Sequence, residues 1–356
     1  MTVGVLTTDI SVGFNLVSKE ILIPKVKKFS FGEKSCKLLE NYLTGRRTKV
    51  KVKNVVSPEV DLLTGVGEGS VLGPNFFSCG MTDVSVVARR VMRKLWNKFR
   101  IKCHITQIEY ADDTTGIIAC ENERELQIAV NGLLAGFGEF YSANGLKLNE
   151  TKCHVLVVRS VQGPRYMTIT CARQEEVESL RLLGLFIDNK LTYEAHTKVV
   201  CGRLAAKLAD LEKLRGKCSF KTLKEVTTSF IHSTIEFCAQ IYLRPDKNQS
   251  LVQKKLNSAM RLVLGTDWDE PVAGMLRRLG WLNVGNMWCW CSIRLLKRFL
   301  SWPSQAPHTH TILKHNLEAG IFSYNFRYNS LKLAWKKLTR WARESYIFCA
   351  VDMYKA

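Results

Sequence analysis

Residues 104–120, HITQIEYADDTTGIIAC, contain two β-prone runs separated by a very short acidic link. Val, Ile, Thr and Tyr favour strands, and so short a link joins antiparallel neighbours. The stretch therefore predicts a β-hairpin with Asp112 and Asp113 at its tip. Adjacent carboxylates repel each other, and a plain turn is formed at lower cost by Asn-Gly or Asp-Gly. The pair is thus either a solvated turn or part of a site that needs two acids.

Strand and helix patterns alternate up to about residue 190. Alternating or continuous apolar runs predict strands, and apolar residues at helical spacing predict helices. The predicted strands are 3–9, 48–56, 104–110, 114–120, 153–158 and 180–187, and the predicted helices are 32–44, 84–99 and 123–143. Pro24 interrupts one further helical pattern and predicts a kink. This alternation predicts an α+β fold, with a layer of helices on a mostly antiparallel sheet.

Two of these segments have one basic face. In 48–56, Lys49, Lys51 and Lys53 alternate with valines, so one side of the predicted strand is charged. Helix 84–99 places five Arg and Lys residues opposite its apolar stripe. Each face is either solvated or lies along a phosphate backbone.

Beyond residue 190 the pattern is helical only, which predicts a domain boundary there. In TDWDEPVAGMLRRLG, Asp269 is the predicted N-cap of a helix and Gly280 its end. The last segment, 321–356, is basic and contains Trp335 and Trp341. Cations with aromatic rings suit single-stranded nucleic acid, and a helix that packs its Trp residues inward explains the same pattern.

Charge restricts the class of partner. The chain has 52 Lys and Arg against 32 Asp and Glu, a net charge of +20. Such a field attracts a polyanion, with nucleic acid the first candidate and an anionic membrane surface the second. No apolar run is long enough to cross a bilayer and the N-terminus lacks a signal-peptide pattern, so we expect an intracellular, soluble protein without a membrane partner.

The twelve cysteines are scattered and predict reduced thiols rather than a disulfide framework. Cys289 and Cys291 are close in sequence, and a zinc site there would need two further ligands. His308 and His310 are poor candidates for that role, so the pattern favours core packing.

Three features occur in an order that suggests chemistry. Asp9 ends a predicted buried strand, residues 65–77 form a Gly-rich loop before a helix, and Asp112 and Asp113 lie at a hairpin tip. Carboxylates that converge from separate strands hold two Mg²⁺ ions in phosphoryl transfer. Mg²⁺ prefers carboxylate and phosphate oxygens, so the repulsion between acids is offset by the metal.

These motifs resemble those of the reverse transcriptases of non-long-terminal-repeat, LINE-like retrotransposons. YADD is similar to the family's Y-x-D-D signature, GEGSVLGPNFF to its QGSVLGP loop, and TDISVGFNLVSKEIL to its LDLSAAFDTVDHEIL stretch. NGLKLNETK and LRLLGLFIDNKLTYEAH match the stretches that follow, and AMRLVLG and MLRRLGWLNV resemble the helical region after the polymerase. The match runs in one order through most of the chain.

The resemblance implies an RNA-directed DNA polymerase that joins deoxynucleotides to a primer 3′-hydroxyl on an RNA template, using two Mg²⁺ or Mn²⁺ ions. It implies a palm at 1–190, a helical thumb at 191–265 and a basic helical region at 266–356. The metal ligands would be Asp9, Asp112 and, more weakly, Asp113. The roles implied for the remaining residues are substrate binding for Phe14, Glu68, Gly69, Ser70 and Tyr110, general acid for Lys152, and primer grip for Leu183 and Gly184.

Some of these residues have another interpretation, and the sequence differs from the family pattern in places. Taken alone, Phe14 is a core residue and Lys152 a surface residue. Glu68 stands where the family has Gln, and a carboxylate beside a triphosphate would repel it. Only eight residues precede Asp9, so the resemblance predicts an N-terminally truncated chain whose fingers are absent or come from a partner chain. The alternative function is an inactive fragment that only binds nucleic acid, although such a binder has no use for three acids near phosphate. The family's insertion chemistry implies a nuclear or cytoplasmic location.

Overall fold

The computed structural model describes residues 1–11, 13–29, 32–67, 69–159, 167–243, 247–301, 322–325 and 330–333. The chain forms two compact units, the first comprising Met1–Leu180 and Asp188–Leu191 and the second Arg181–Ile187 and Thr192–Ala356. Among the described residues, no helix is both long enough and apolar enough to span a membrane.

The first unit mixes strands and helices. Its strands are β1 Thr2–Thr8, β2 Ile10–Ser11, β3 Arg47–Thr48, β4 Lys51–Val52, β5 Val55–Val56, β6 Val60–Asp61, β7 His104–Tyr110, β8 Asp113–Cys120, β9 Lys147–Leu148, β10 His154–Val158, β11 Thr170–Cys171 and β12 Gln174–Glu175. Its helices are α1 Gly13–Leu16, α2 Lys19–Lys27, α3 Glu33–Leu43, α4 Gly73–Met81, α5 Ser85–Phe99 and α6 Glu123–Ala143.

A four-stranded antiparallel sheet in the order β10-β1-β8-β7 is the scaffold of this unit. Helix α6 packs on β1 and β8, and α5 packs on β7 and on α6. Glycine allows the close contact, because a Cβ at Gly4 would lie 3.0 Å from Leu126 and one at Gly116 only 2.4 Å from Leu133. The predicted combination of helices with a mostly antiparallel sheet is confirmed.

The second unit is mainly helical. Its helices are α7 Glu194–Glu212, α8 Phe220–Glu236, α9 Ala239–Tyr242, α10 Lys247–Leu264, α11 Val272–Leu279 and α12 Val284–Ser301. Helices α7, α8 and α10 pack on one another around Leu204, Ile231 and Leu256, all fully buried. The hairpin of β13 Ser179–Leu182 and β14 Leu185–Asp188 precedes these helices, and a second hairpin is formed by β15 Phe322–Asn325 and β16 Ser330–Leu333.

Three local predictions are wrong. Residues 48–56 are not one strand, because Lys53 has a φ of 54° and a turn there folds β4 back on β5, with Val52 and Val55 exposed. Residues 180–187 are likewise two strands, since Leu183 and Gly184 both have positive φ. Asp269 does not cap α11, whose N-cap is Pro271, whereas Gly280 ends the helix in the left-handed conformation as predicted.

Helix α2 does form, with Pro24 inside it. The described cysteines are all free, as predicted, and Cys289 and Cys291 are half-buried on α12. The predicted basic, aromatic segment 321–356 lies outside the described residues except for β15 and β16.

Candidate active site

The register of β1 on β8 brings the acids of distant segments together. Thr8 pairs with Thr114 at the end of the ladder, so the next position places Asp9 opposite Asp113. Directly opposite residues in antiparallel strands have side chains on the same face and close together. Asp112 precedes Asp113 in the turn between β7 and β8. The fold therefore gathers Asp9, Asp112 and Asp113 at one end of the sheet.

Asp9 is fixed from two directions. Beyond it, Ile10 pairs with Leu148, and the Asn149 N–H donates to the Asp9 carbonyl at 2.9 Å. Before it, the buried Thr8 hydroxyl donates to the Thr114 carbonyl at 3.3 Å and lies 3.3 Å from the Tyr141 hydroxyl. The carboxylate thus stands where the chain leaves one sheet and joins another strand pair.

The turn that presents the doublet is a two-residue hairpin turn with an uncommon backbone conformation. Tyr110 pairs with Asp113, leaving Ala111 and Asp112 as the two linking residues. Ala111 has a φ of 54°, a left-handed conformation that residues with a Cβ seldom adopt. Strain of this kind persists where the surrounding structure imposes it, often at functional sites. Tyr110 itself is 65% exposed beside the acids.

The electrostatics of the cluster favour a cation. Partial burial raises the pKa of the Asp113 carboxyl, and the negative charges of Asp112 and Asp9 raise it further. The Oδ2 atom of Asp9 is buried and receives no hydrogen bond, although Lys152 Nζ lies 3.3 Å away in an ion pair. Lys152 is the last residue of the 3₁₀ turn Glu150–Lys152, and its side chain is largely exposed.

A metal site is not ready-made in this arrangement. Within the described part of the chain, no group of three or more His, Cys, Asp or Glu side chains is positioned to hold a metal ion. The donor chemistry nevertheless fits a hard divalent cation, since the Asp9 Oδ2 atom is buried without a hydrogen bond and Asp113 lies within electrostatic range of both Asp9 and Asp112.

The Gly-rich loop is tied to the short helix that carries Phe14. The Val66 N–H donates to the Phe14 carbonyl at 2.8 Å, and the Phe14 ring stacks on Phe77 at 4.6 Å between centroids. Gly65 has a φ of 87°, and a Cβ there would lie 2.9 Å from the Asn15 backbone. Phe14 is half-buried, so it contacts the core and still presents part of its ring to solvent.

The second half of the loop is closed by Ser70. Its hydroxyl donates to the Gly67 carbonyl at 2.7 Å and accepts from the Gly73 N–H at 3.0 Å. A Cβ at Gly73 would meet the Gly67 oxygen at 2.6 Å, which only glycine avoids. Gly69 is exposed with a φ of 73°. Glu68 lies outside the described residues.

The predicted primer-grip residues lie in the second unit. Leu183 and Gly184 form the turn between β13 and β14, with φ values of 48° and 90°. Gly184 faces the ring of Phe237, which a Cβ would approach to 3.3 Å, and Leu183 is 48% exposed. Behind the turn, the Phe186 N–H donates to His196 Nδ1 at 3.3 Å.

The sequence pattern did not identify two supporting residues. Arg46 donates to the Gly65 carbonyl at 3.1 Å and thereby holds the Gly-rich loop. Tyr141 is fully buried on α6 and contacts Thr8 behind Asp9. Its place in the apolar stripe of α6 is a detectable signal, whereas nothing in the TGRR sequence distinguishes Arg46 from Arg47.

Comparisons with known proteins identify the family of the chain. The family "Reverse transcriptase (RNA-dependent DNA polymerase)" matches residues 2–187, just over half of the 356 residues. A probable RNA-directed DNA polymerase from transposon X-element of Drosophila melanogaster is 24% identical over 65% of this chain and 25% of its own length. The corresponding protein from transposon BS is 28% identical over 75% of this chain and 29% of its own length.

The chain thus spans about a quarter of the length of these relatives. Among solved structures, apo telomerase from Candida tropicalis is 13% identical, with a TM-score of 0.41 over 82% of this chain and 46% of that one. That score is too low to define the fold. The family match and both relatives point the same way: the chain belongs to the reverse transcriptase family, in its non-LTR retrotransposon branch, and is of RNA-directed DNA polymerase lineage.

Proposed function

We propose that this chain contains a polymerase palm that catalyses RNA-templated addition of deoxynucleotides to a primer 3′-hydroxyl. The observation that supports this most is the β1–β8 register, which sets Asp9 opposite Asp113 with Asp112 in the adjoining turn. A chain that only bound nucleic acid would lose affinity from three acids beside phosphate. We further propose a palm at 1–190, a thumb at 191–265 and a C-terminal region at 266–356.

Asp9 and Asp112 would hold two divalent ions, with Asp113 as a weaker ligand. When bound, Mg²⁺ or Mn²⁺ supplies positive charge that stabilises the attacking and leaving oxygens of the phosphoryl transfer. The buried Oδ2 of Asp9, which receives no hydrogen bond, and the burial and mutual repulsion that raise the pKa of Asp113 support this assignment. The Lys152 ammonium neutralises part of the same charge through its ion pair with Asp9.

The remaining residues would position the substrates. Phe14, braced by Phe77, would exclude a 2′-hydroxyl and so select deoxynucleotides. Gly69, Ser70 and Tyr110 would border the incoming nucleotide, and Glu68 belongs to the same loop. Once its ion pair with Asp9 is broken, Lys152 would donate a proton to the departing pyrophosphate. The turn Leu183–Gly184 would press its backbone on the primer end.

The partners would be an RNA template, a DNA primer and deoxynucleoside triphosphates. Members of this family copy RNA from a primer, and the net charge of +20 provides long-range attraction for both strands. Much of the resulting affinity is expected to fall as salt rises.

Primer extension on poly(rA) with oligo(dT) and Mg²⁺ tests the proposal. We expect extension by the natural chain and a loss of about 10³-fold or more in Asp112→Asn, because about 4 kcal/mol of transition-state stabilisation depends on the metal charge. Asp210→Asn, which changes an exposed carboxylate that forms an ion pair with Lys213, is the matched control and should retain full activity.

The contrary outcome is equally specific. If the natural chain fails to extend the primer yet binds RNA in a salt-sensitive manner, the chain is an inactive member that only binds nucleic acid. If Asp112→Asn retains activity, the carboxylate assignment is wrong.

A further inference from the structure

Helix α5 has a strongly basic exposed surface. We define the α5 basic face as Arg89, Arg90, Arg93, Lys94 and Lys98, continued by Arg100 and Lys102 after the helix; all seven are exposed. Residues 85–102 contain these seven cations and no acid. In the described residues, Lys94 has the one ion pair of this face, with Glu139 at 3.6 Å, and both partners are 63% exposed.

Such charge density is costly for an isolated helix. Arg89 and Arg93, and likewise Arg90 and Lys94, are four residues apart and therefore adjacent on the helix surface. Like charges in this relation destabilise a helix. A bound polyanion would offset this repulsion and release its counterions, which gives the face a physical preference for phosphates.

Exposed aromatic rings accompany the cations. Trp96 is 49% exposed and Phe99 50% exposed. The Arg100 guanidinium lies 5.7 Å from the Trp96 ring centre, and Lys98 Nζ lies 5.2 Å from that of Phe99. Rings with flanking cations are the combination on which unpaired bases stack while their phosphates are neutralised.

A groove beside the same face provides space for such a ligand. It has a volume of about 200 Å³ and lies between α5 and α6, with Arg90, Lys94, Lys98 and Phe99 on one side. Gly132, Ala135, Gly136 and Glu139 of α6 form the other side, and the two glycines bring the α6 backbone close to Val91. The groove therefore has an apolar floor and a rim of three cations and one acid, Glu139, which is paired with Lys94.

The C-terminal part of this surface lies toward the end of the sheet opposite the acids. Helix α5 runs antiparallel to β7, since Gln107 Nε2 donates to the Val84 carbonyl at 2.9 Å and the Ile105 N–H approaches Met92 Sδ at 3.3 Å. The C-terminal turn of α5 is therefore near His104, where β7 begins, whereas the acids follow Tyr110. Seven strand residues span roughly 20 Å.

We propose that the α5 basic face and its groove form a second binding site for single-stranded nucleic acid, separate from the carboxylate cluster. Phosphates contact the Arg and Lys side chains while bases stack on Trp96 and Phe99. The site requires no metal and no catalysis, so it is independent of the polymerase proposal.

Fluorescence anisotropy of the full chain with labelled (rU)12 in EDTA tests the site. The variant Arg90→Gln, Lys94→Gln, Lys98→Gln should bind at least about tenfold more weakly near 0.1 M salt. Its slope of log affinity against log salt should fall by about 2, as three lost contacts to a single strand predict. The control Lys28→Gln, Lys34→Gln, Lys37→Gln removes the same charge from exposed positions of the same unit and should change affinity less than about twofold.

Trp96→Leu tests the stacking separately. We expect about tenfold weaker binding of (rU)12, with little effect on a duplex of equal length, whose bases are already stacked. Trp268→Leu is the control, because Trp268 is 84% exposed and has acidic neighbours, Asp267 and Asp269, in the sequence. Photo-cross-linking of the natural chain to 4-thiouridine-substituted (rU)12 should mark a peptide that contains residues 94–100.

Several results would overturn the site. Equal losses of (rU)12 affinity in the two triple variants would show that binding depends on the overall positive charge of the protein and not on the α5 basic face. An unchanged Trp96→Leu affinity, or cross-links found only elsewhere, would remove the stacking surface. Binding of phosphatidylserine vesicles but not of (rU)12 through the α5 basic face would identify a membrane contact instead. If the triple variant fails to fold, the Trp96 and cross-linking results decide.

Discussion

Two tight turns in this chain share a left-handed backbone conformation but present different kinds of side chain. The turn at Ala111 and Asp112 carries charge, and the turn at Leu183 and Gly184 carries an exposed apolar side chain. In both, a residue with a Cβ has a left-handed φ, 54° at Ala111 and 48° at Leu183. Such a conformation costs roughly 1–2 kcal/mol per residue.

The two turns differ in what holds them. The first belongs to a hairpin inside a four-stranded sheet, where β8 is paired on both sides. The second belongs to a two-stranded hairpin and depends on side chains, namely Phe237 against Gly184 and His196 behind Phe186. Backbone pairing therefore fixes the acids, whereas the apolar turn relies on one aromatic contact and one imidazole acceptor.

The largest expected difference between the two turns is a loss of stability in acid at the second turn, which depends on His196. His196 is fully buried, and burial lowers its pKa from 6.5 to about 4. Its contribution to stability is present above pH 6.5 and is lost as pH falls toward 4, because the unfolded chain takes up the proton first. This gap corresponds to roughly 3 kcal/mol. Urea unfolding at pH 7 and pH 4.5 measures it.

His196→Asn is expected to remove most of that acid sensitivity, since its amide oxygen accepts from Phe186 without titrating. His104→Asn, which removes an exposed histidine on β7, is the control for the loss of a histidine. His232, whose pKa burial also lowers to about 4, accounts for the residual acid sensitivity. A natural chain equally stable at both pH values would contradict this account.

Adding a methyl group at one turn and removing one at the other should change stability in opposite directions. Gly184→Ala places a Cβ at a φ of 90° and 3.3 Å from Phe237, and should destabilise the second unit by about 2 kcal/mol. Ala111→Gly should instead stabilise its hairpin by about 1 kcal/mol, because the left-handed penalty disappears. Denaturant midpoints measure both. Gly138→Ala has open space within a helix, and a similar loss there would show that the effect is not specific to the turn.

The smallest expected effect concerns Asp113. Because burial and the neighbouring acids raise its pKa, its contribution to stability is full below the unfolded pKa and declines as pH rises. Asp113 is exposed, so solvent screening limits this to less than about 1 kcal/mol. Asp113→Asn should flatten the dependence of stability on pH between 3 and 6 in metal-free buffer. A steeper dependence in the variant would exclude repulsion as the cause.

Predictions from the sequence were most accurate where a single local pattern continued through a whole element. Helix α6 was predicted at 123–143 and is Glu123–Ala143, because its apolar stripe is long and Asn122 caps it, accepting from the Glu125 N–H. The hairpin of β7 and β8 was equally clear from its β-branched runs. Its acidic tip was visible in the sequence, but the partner of that tip was not.

The failures arose where a turn lay inside a strand-like pattern. Lys53 and Asn54 reverse the chain within an alternating run, and Leu183 and Gly184 do so within an apolar run. Turn chemistry overrode periodicity in both cases. The position of Asp9 opposite Asp113 depends on register between strands about a hundred residues apart. Local pattern contains no such information, and the family resemblance supplied the grouping.

The ladder between β1 and β8 also limits how the length of this protein can vary. A single inserted or deleted residue between Thr2 and Thr8, or between Thr114 and Cys120, would turn the terminal acid to the opposite face of the sheet. The long connection from β2 to β7 bears no such constraint. Related chains should therefore vary in length more readily in that connection than in these two strands, whose residue count should stay constant.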